Sequence, residues 1–115
     1  MATFLGRGEL DELQDRQANA AGEFTLNAGV TKLRIIQDGF SNAAKEIMLD
    51  ALTANQVRLH NGNPGSAGTE NQIGDPEEAT FLSASGDARD LQTNVDFVGL
   101  DPQQPVTWFS VWTAE

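Results

Sequence analysis

His60 is the only histidine in the chain, and there is no cysteine, so catalytic or metal-binding chemistry has little to work with. Without thiolates or a second imidazole, an ion could be held only through oxygen. The acids in the punctuated stretches, Asp75, Glu77, Glu78, Asp87 and Asp90, are of the type calcium takes, but they lack EF-hand spacing and read as solvated loop charges. No serine lies in a G-x-S-x-G elbow, and Gly6 and Gly8 are not followed by the helix that a phosphate-binding loop needs. The expectation is a non-enzymatic protein with no catalytic residue, metal ion or cofactor. His60 is expected at a strand end, its imidazole bonded to loop backbone. Trp108 and Trp112 fall on one face of a strand. They could form a stacking platform for sugar, or lie in the core or a subunit interface. Because the other face of that strand, with Phe109, is also apolar, the covered arrangement is favoured.

The stretch QVRLHNGNPGSAGT, Gln56 to Thr69, must position His60. It opens as a strand, Val57 and Leu59 alternating with Arg58 and His60, and then breaks into a loop in which four of the seven residues Gly62 to Gly68 are glycine or proline. Asn61-Gly62 predicts a turn with positive φ, and Pro64 pushes Asn63 out of helical space. Gly62, Pro64, Gly65 and Gly68 therefore read as a structural loop whose path is set by the backbone.

Around it, Ala2 to Leu10 predicts a short strand with a bulge marked by Gly6 and Gly8. Asp11 to Ala21 offers only Leu13 as a large apolar residue and reads as loop. Gly22 to Ile36 predicts a β-hairpin turning at Asn27-Ala28-Gly29. Asp38 to Ala54 predicts the one helix, N-capped by Ser41. Phe40, Ala44, Ile47, Met48 and Ala51 would form its core-facing stripe on the sheet, with Asn42, Lys45, Glu46 and Asp50 facing away. Gly74-Asp75-Pro76 predicts a turn, Ala79 to Ser83 a short strand anchored by Phe81, and Ser85 to Asp90 a loop. Leu91 to Leu100 predicts a strand with Val95 and Phe97 on one face and Asn94, Asp96 and Val98 on the other. Val106 to Thr113, apolar on both faces, predicts a central or covered strand. The fold class is mainly β with one helix, a β-sandwich or small barrel-like domain closed at one end by that helix.

At 115 residues the chain has the size of a single domain, 1–115. Its net charge of −10 repels a phosphate backbone and favours solubility, so nucleic acid is not an expected partner. No long apolar run and no basic-then-apolar N-terminus occurs, so neither a membrane span nor a secretion signal is expected.

Leu59, His60, Gly62, Pro64, Gly65, Gly68 and Thr69 give the chain a likeness to a family. They resemble the "LH-T-G-D-P-G" motif and following Gly-Thr of small tailed-bacteriophage virion proteins, of tail-fibre and head-decoration type; Asn61 and Asn63 depart from the motif's Thr and Asp. The preceding helix, the Phe81 segment with its Ser-Gly loop and the terminal TWFSVW are similar to the family in the same order, although the Phe97 position commonly carries tryptophan there. TFLGRGEL (Thr3 to Leu10) and GEFTLNAGVTKLRI (Gly22 to Ile35) resemble segments that family members carry after the tryptophan strand, so the chain looks circularly permuted. The resemblance implies a virion structural protein, first a capsid decoration protein binding the major capsid protein, alternatively a tail-fibre or minor tail protein binding a receptor or glycan. It would be a homo-oligomer in the particle, soluble in the host cytoplasm before assembly, with Trp108, Trp112, Phe109 and Phe4 as interface candidates. The permuted order implies that Thr3 to Leu5 pairs beside Val106 to Thr113, within one chain or donated to a neighbour.

Overall fold

A computed structural model describes residues 2–35 and 38–113. Among these residues eight strands and one helix follow in order: β1 (Thr3–Glu9), β2 (Phe24–Leu26), β3 (Lys32–Arg34), α1 (Asn42–Asp50), β4 (Gln56–His60), β5 (Gln72–Glu78), β6 (Ala88–Asp90), β7 (Val95–Phe97) and β8 (Trp108–Thr113). The protein is mainly β, with antiparallel sheets that do not close into a barrel.

The principal sheet has the order β1-β8-β4-β5, so the strand with two apolar faces is central. β1 pairs with β8 inside one chain, Thr3 opposite Thr113 and Phe4 opposite Trp112, with the bulge between Phe4 and Gly6. The inner face of the sheet carries Val57, Leu59, Phe109 and Val111. They join Phe24 and Leu26 of β2, Leu33 of β3, and Val95 and Phe97 of β7 in one apolar cluster. Each such fully buried side chain is worth about 1.5–3 kcal/mol.

Several local expectations give way to tertiary structure. β2 and β3 do not pair as a hairpin: β2 pairs with β7 and β3 with β6. The turn is present, Val30 and Thr31 N–H both donating to Asn27 O, but Gln14 Oε1 and Asn94 Oδ1 accept from Asn27 and Ala28 N–H and send the two strands to different partners. Ile36, the end of that expected hairpin, lies outside the described residues. Gly74-Asp75-Pro76 is not a turn but lies within edge strand β5, bulged out opposite Arg58 between the Leu59–Ile73 and Val57–Glu77 pairs. Proline is tolerated there because an edge residue can leave its missing N–H facing solvent. The expected strand at Ala79 to Ser83 is reduced to a bridge between Phe81 and Leu91, though Phe81 is buried as expected. Within the expected loop at Ser85 to Asp90, residues 88–90 form β6 after a tight turn at Ser85.

The helix is shorter than its pattern and turned the other way. Ser41 Oγ accepts from Ala44 N–H, as expected of an N-cap. Yet Ile47 is 73% exposed and Phe40 46%, and Leu49 is the buried residue. Glu46 and Asp50, expected to face away, accept the backbone N–H groups of Gly86 and Ala84, each at 2.8–2.9 Å. Arg89 donates to the carbonyls of Leu52 and Leu49 at the helix C-terminus. Leaving Ile47 in water forgoes about 1.5–3 kcal/mol. Two hydrogen bonds to charged acceptors, at about 1.5–3 kcal/mol each, together with burial of Leu49, outweigh it.

Candidate functional site: the outer face of the principal sheet

Cross-strand register puts Trp108, Ser110 and Trp112 of β8 on one face with Gln56, Arg58 and His60 of β4 and Arg7 and Glu9 of β1. This face is not left open. The segment from Asn61 to Asn71 folds back over part of it, closed at its base by Asn61 N–H donating to Asn71 O. Inside the loop Asn63 Oδ1 accepts from Gly65 N–H, Asn71 Nδ2 donates to Asn63 O, and Glu70 N–H donates to Pro64 O. Pro64 is fully buried. The positive φ values fall at Gly65 (79°), Gly68 (75°) and Asn71 (60°) and not at Gly62, which corrects the turn expected at Asn61-Gly62. A Cβ at Gly68 would overlap the Phe4 ring, so the absence of a side chain there lets the loop lie on Phe4.

Beneath the loop lies a buried polar chain. His60 Nδ1 is 2.8 Å from Glu70 O and His60 Nε2 is 2.7 Å from Ser110 Oγ, which is also 2.7 Å from Trp112 Nε1. A carbonyl only accepts, so Nδ1 carries the proton and Nε2 of the neutral ring must accept. Trp112 Nε1–H therefore donates to Ser110 Oγ, the Ser110 hydroxyl to His60 Nε2, and His60 Nδ1–H to Glu70 O. Each polar hydrogen has one acceptor, and the arrangement holds together the loop, β4 and β8. A protonated imidazole would have to donate from Nε2 as well, leaving the Ser110 hydroxyl hydrogen displaced. Burial lowers the His60 pKa most; the Glu70 carbonyl opposes that shift, and the nearby Arg58 charge adds to it.

Trp112, 6% exposed, is covered from three directions. Arg58 stacks 3.9 Å above its ring, Phe4 meets it at 5.3 Å with the planes tilted by 53°, and Ser110 takes its N–H. Burial also lowers the pKa of Arg58, whose guanidinium is held by Gln56 and Gln72. Trp108 is half-buried, while Phe109 lies on the opposite, core face. The tryptophans thus share a face as expected, with one sealed and the other partly open.

A serine hydroxyl 2.7 Å from an imidazole nitrogen is also the contact of a nucleophilic dyad. Here both side chains are 0% exposed, and the second imidazole nitrogen donates to a peptide carbonyl instead of a carboxylate. Neither side chain lines the clefts beside Phe24 and Asp96, beside Gly8 and Phe109, or beside Arg16 and Gln103. The contacts of His60 and Ser110 fasten the loop to β4 and β8. The acids considered for calcium are spread out: Asp75, Glu77 and Glu78 lie on β5, while Asp87 and Asp90 pair with Arg34 and Lys32 at 3.0 and 3.3 Å. The Arg34 hydrogen bond is the largest cause of a lowered Asp87 pKa. Among the described residues no three His, Cys, Asp or Glu side chains gather to hold a metal ion, and no helix is long and apolar enough to cross a membrane.

Sequence reasoning found His60 and its loop-backbone bond but missed Ser110 and Arg58. The signal was available in part: Ser110 sits midway between two tryptophans on the same strand face, where a small polar residue implies a partner. Arg89, bonded to both the helix C-terminus and Leu82 O, carried no such mark. No family model, curated protein or solved structure matches the chain.

Proposed function

We propose that the chain is a non-enzymatic structural protein of a tailed-bacteriophage virion, a capsid decoration protein that binds the major capsid protein. One observation carries this reading. Three of the segments that resemble the virion family, TFLGRGEL, the strand ending in Leu59-His60, and TWFSVW, are neighbouring strands β1, β4 and β8 of one sheet, with β8 between the other two. The permuted order of those segments implies that Thr3 to Leu5 lies beside Val106 to Thr113, and Thr3 and Phe4 pair with Thr113 and Trp112. The glycine-rich loop of the resemblance is fastened to the same sheet by the His60–Glu70 hydrogen bond and lies with Gly68 against the Phe4 ring. The side chains so arranged serve rigidity and surface shape, as attachment to a shell demands. The test is a cryo-EM reconstruction of the particle that carries the chain: density for this fold on the capsid surface is the expected result. Density confined to the tail would replace the decoration role with the tail-fibre one, and its absence from the particle would remove both.

A further inference from the structure

The hydrogen-bond phase of β1 leaves an unused edge. Leu10 N–H donates to Thr107 O at 2.9 Å, continuing the register that sets Gly8 opposite Phe109, so Gly8 shares the bonded phase. Arg7 and Glu9 then direct their N–H and C=O groups away from β8, about 7 Å apart along the strand. Among the described residues β8 is the one sheet neighbour of β1, so these groups face outward. The same alternation applies at β3. Leu91 N–H to Thr31 O and Ile35 N–H to Asp87 O put the odd-numbered residues in phase with β6 and leave the backbones of Lys32 and Arg34 on the free side. Both free edges border one cleft of about 360 Å³, floored by the Phe109 ring beside Gly8 and walled by Leu10 and Val30.

An open edge invites pairing, and proteins that must not pair block it. The far edge of this sheet, β5, is blocked by Pro76, by its bulge and by Asp75, Glu77 and Glu78. β1 has its own bulge at Phe4 to Gly6 and the charges of Arg7 and Glu9, of opposite sign, but neither a proline nor a run of like charges. Charge selects the partner. Arg7, Lys32 and Arg34, three of the seven basic residues, line the cleft and outnumber Glu9 and Asp11 there, in a chain of net charge −10. Lys32 and Arg34 hold Asp90 and Asp87 through half-exposed ion pairs, which are weak and readily exchanged for a partner's carboxylates.

We propose that the Arg7–Glu9 edge of β1 is a docking site for an extended acidic segment of a partner polypeptide, which adds as a further strand of the principal sheet. Its backbone bonds to Arg7 and Glu9, alternate apolar side chains drop onto Phe109, and its acids face Lys32, Arg34 and Arg7. This does not depend on the chain being a virion protein.

The test uses the whole chain and a short blocked peptide of alternating glutamate and valine, with amide hydrogen exchange followed residue by residue. At millimolar peptide the Arg7 and Glu9 amides should slow about tenfold more than those of Gly8 and Leu10, which are already bonded to β8. The same peptide N-methylated on alternate residues, or with lysine for glutamate, should fail. Lys32→Glu with Arg34→Glu should weaken binding about tenfold or more. The proposal is overturned if the glutamate peptide leaves Arg7 and Glu9 unprotected, or if the N-methylated or lysine peptide protects them equally. It is equally overturned if the charge-reversed variant binds as tightly, or if protection rises with protein concentration alone, which would make a second copy the occupant.

Discussion

Replacing Ser110 by alanine removes one oxygen and strands two buried groups. Trp112 Nε1–H loses its acceptor and His60 Nε2 its donor, both at 2.7 Å and both shielded from water. An unsatisfied buried polar group costs about 1–3 kcal/mol, so with two of them Ser110→Ala should lose about 2–6 kcal/mol. For a domain of this size each kcal/mol is worth about 4 °C, which predicts a fall in Tm of about 8–24 °C. Urea unfolding followed by tryptophan emission measures the loss directly. Trp112→Phe, which deletes the N–H, should be less costly in the alanine background than in the parent, so that the double variant loses less than the sum of the two single losses. A loss below about 0.5 kcal/mol, the range of ordinary surface substitutions, would refute the hydrogen-bond chain as a fastener of the loop.

The lowered His60 pKa has a definite sign: above the ordinary histidine value of 6.5 both folded and unfolded states are neutral, and as pH falls below it the unfolded state takes up the proton first. Stability should therefore drop from pH 6.5 down to the folded-state value, and His60→Gln should flatten that part of the profile measured by urea unfolding. Gly68→Ala, at positive φ and against Phe4, should cost more than Gly99→Ala, which has positive φ but open space and should lose about 1–2 kcal/mol; thermal melts of the pair decide. Ile47→Lys should change stability by less than about 0.5 kcal/mol while Leu49→Ala loses about 2–5 kcal/mol, and the reverse ranking would mean that the helix packs by its apolar stripe after all.

What could be read from the sequence was whatever the strand period or glycine chemistry decides locally. β8 announced itself as central because Trp108, Trp112, Phe109 and Val111 leave neither face fit for water. The Phe4 strand was placed beside it through the order of family-like segments, a cue that periodicity lacks. The failures share one cause: a local pattern overruled by distant polar partners. The Phe40–Ile47 stripe has an ideal helical spacing, but Glu46, Asp50 and Arg89 satisfy backbone groups of the 82–86 segment and the helix end, and those bonds turn the stripe outward. Asn27-Ala28-Gly29 makes its turn, yet Gln14 and Asn94 hold the turn so that β2 and β3 diverge. Gly74-Asp75-Pro76 has turn composition, but on an edge strand a bulge accommodates the same residues. Ser110 was invisible because a lone serine gains meaning only when register brings His60 beside it.

The claim that organises the rest is the place of this chain on a virion, and the copy number of the protein in purified particles tests it most directly. Quantitative peptide mass spectrometry against the major capsid protein should return a copy number comparable with that of the shell subunit, because a decoration protein repeats with the lattice it covers. A chain missing from purified particles, or present only at the level of a contaminant, would contradict the account.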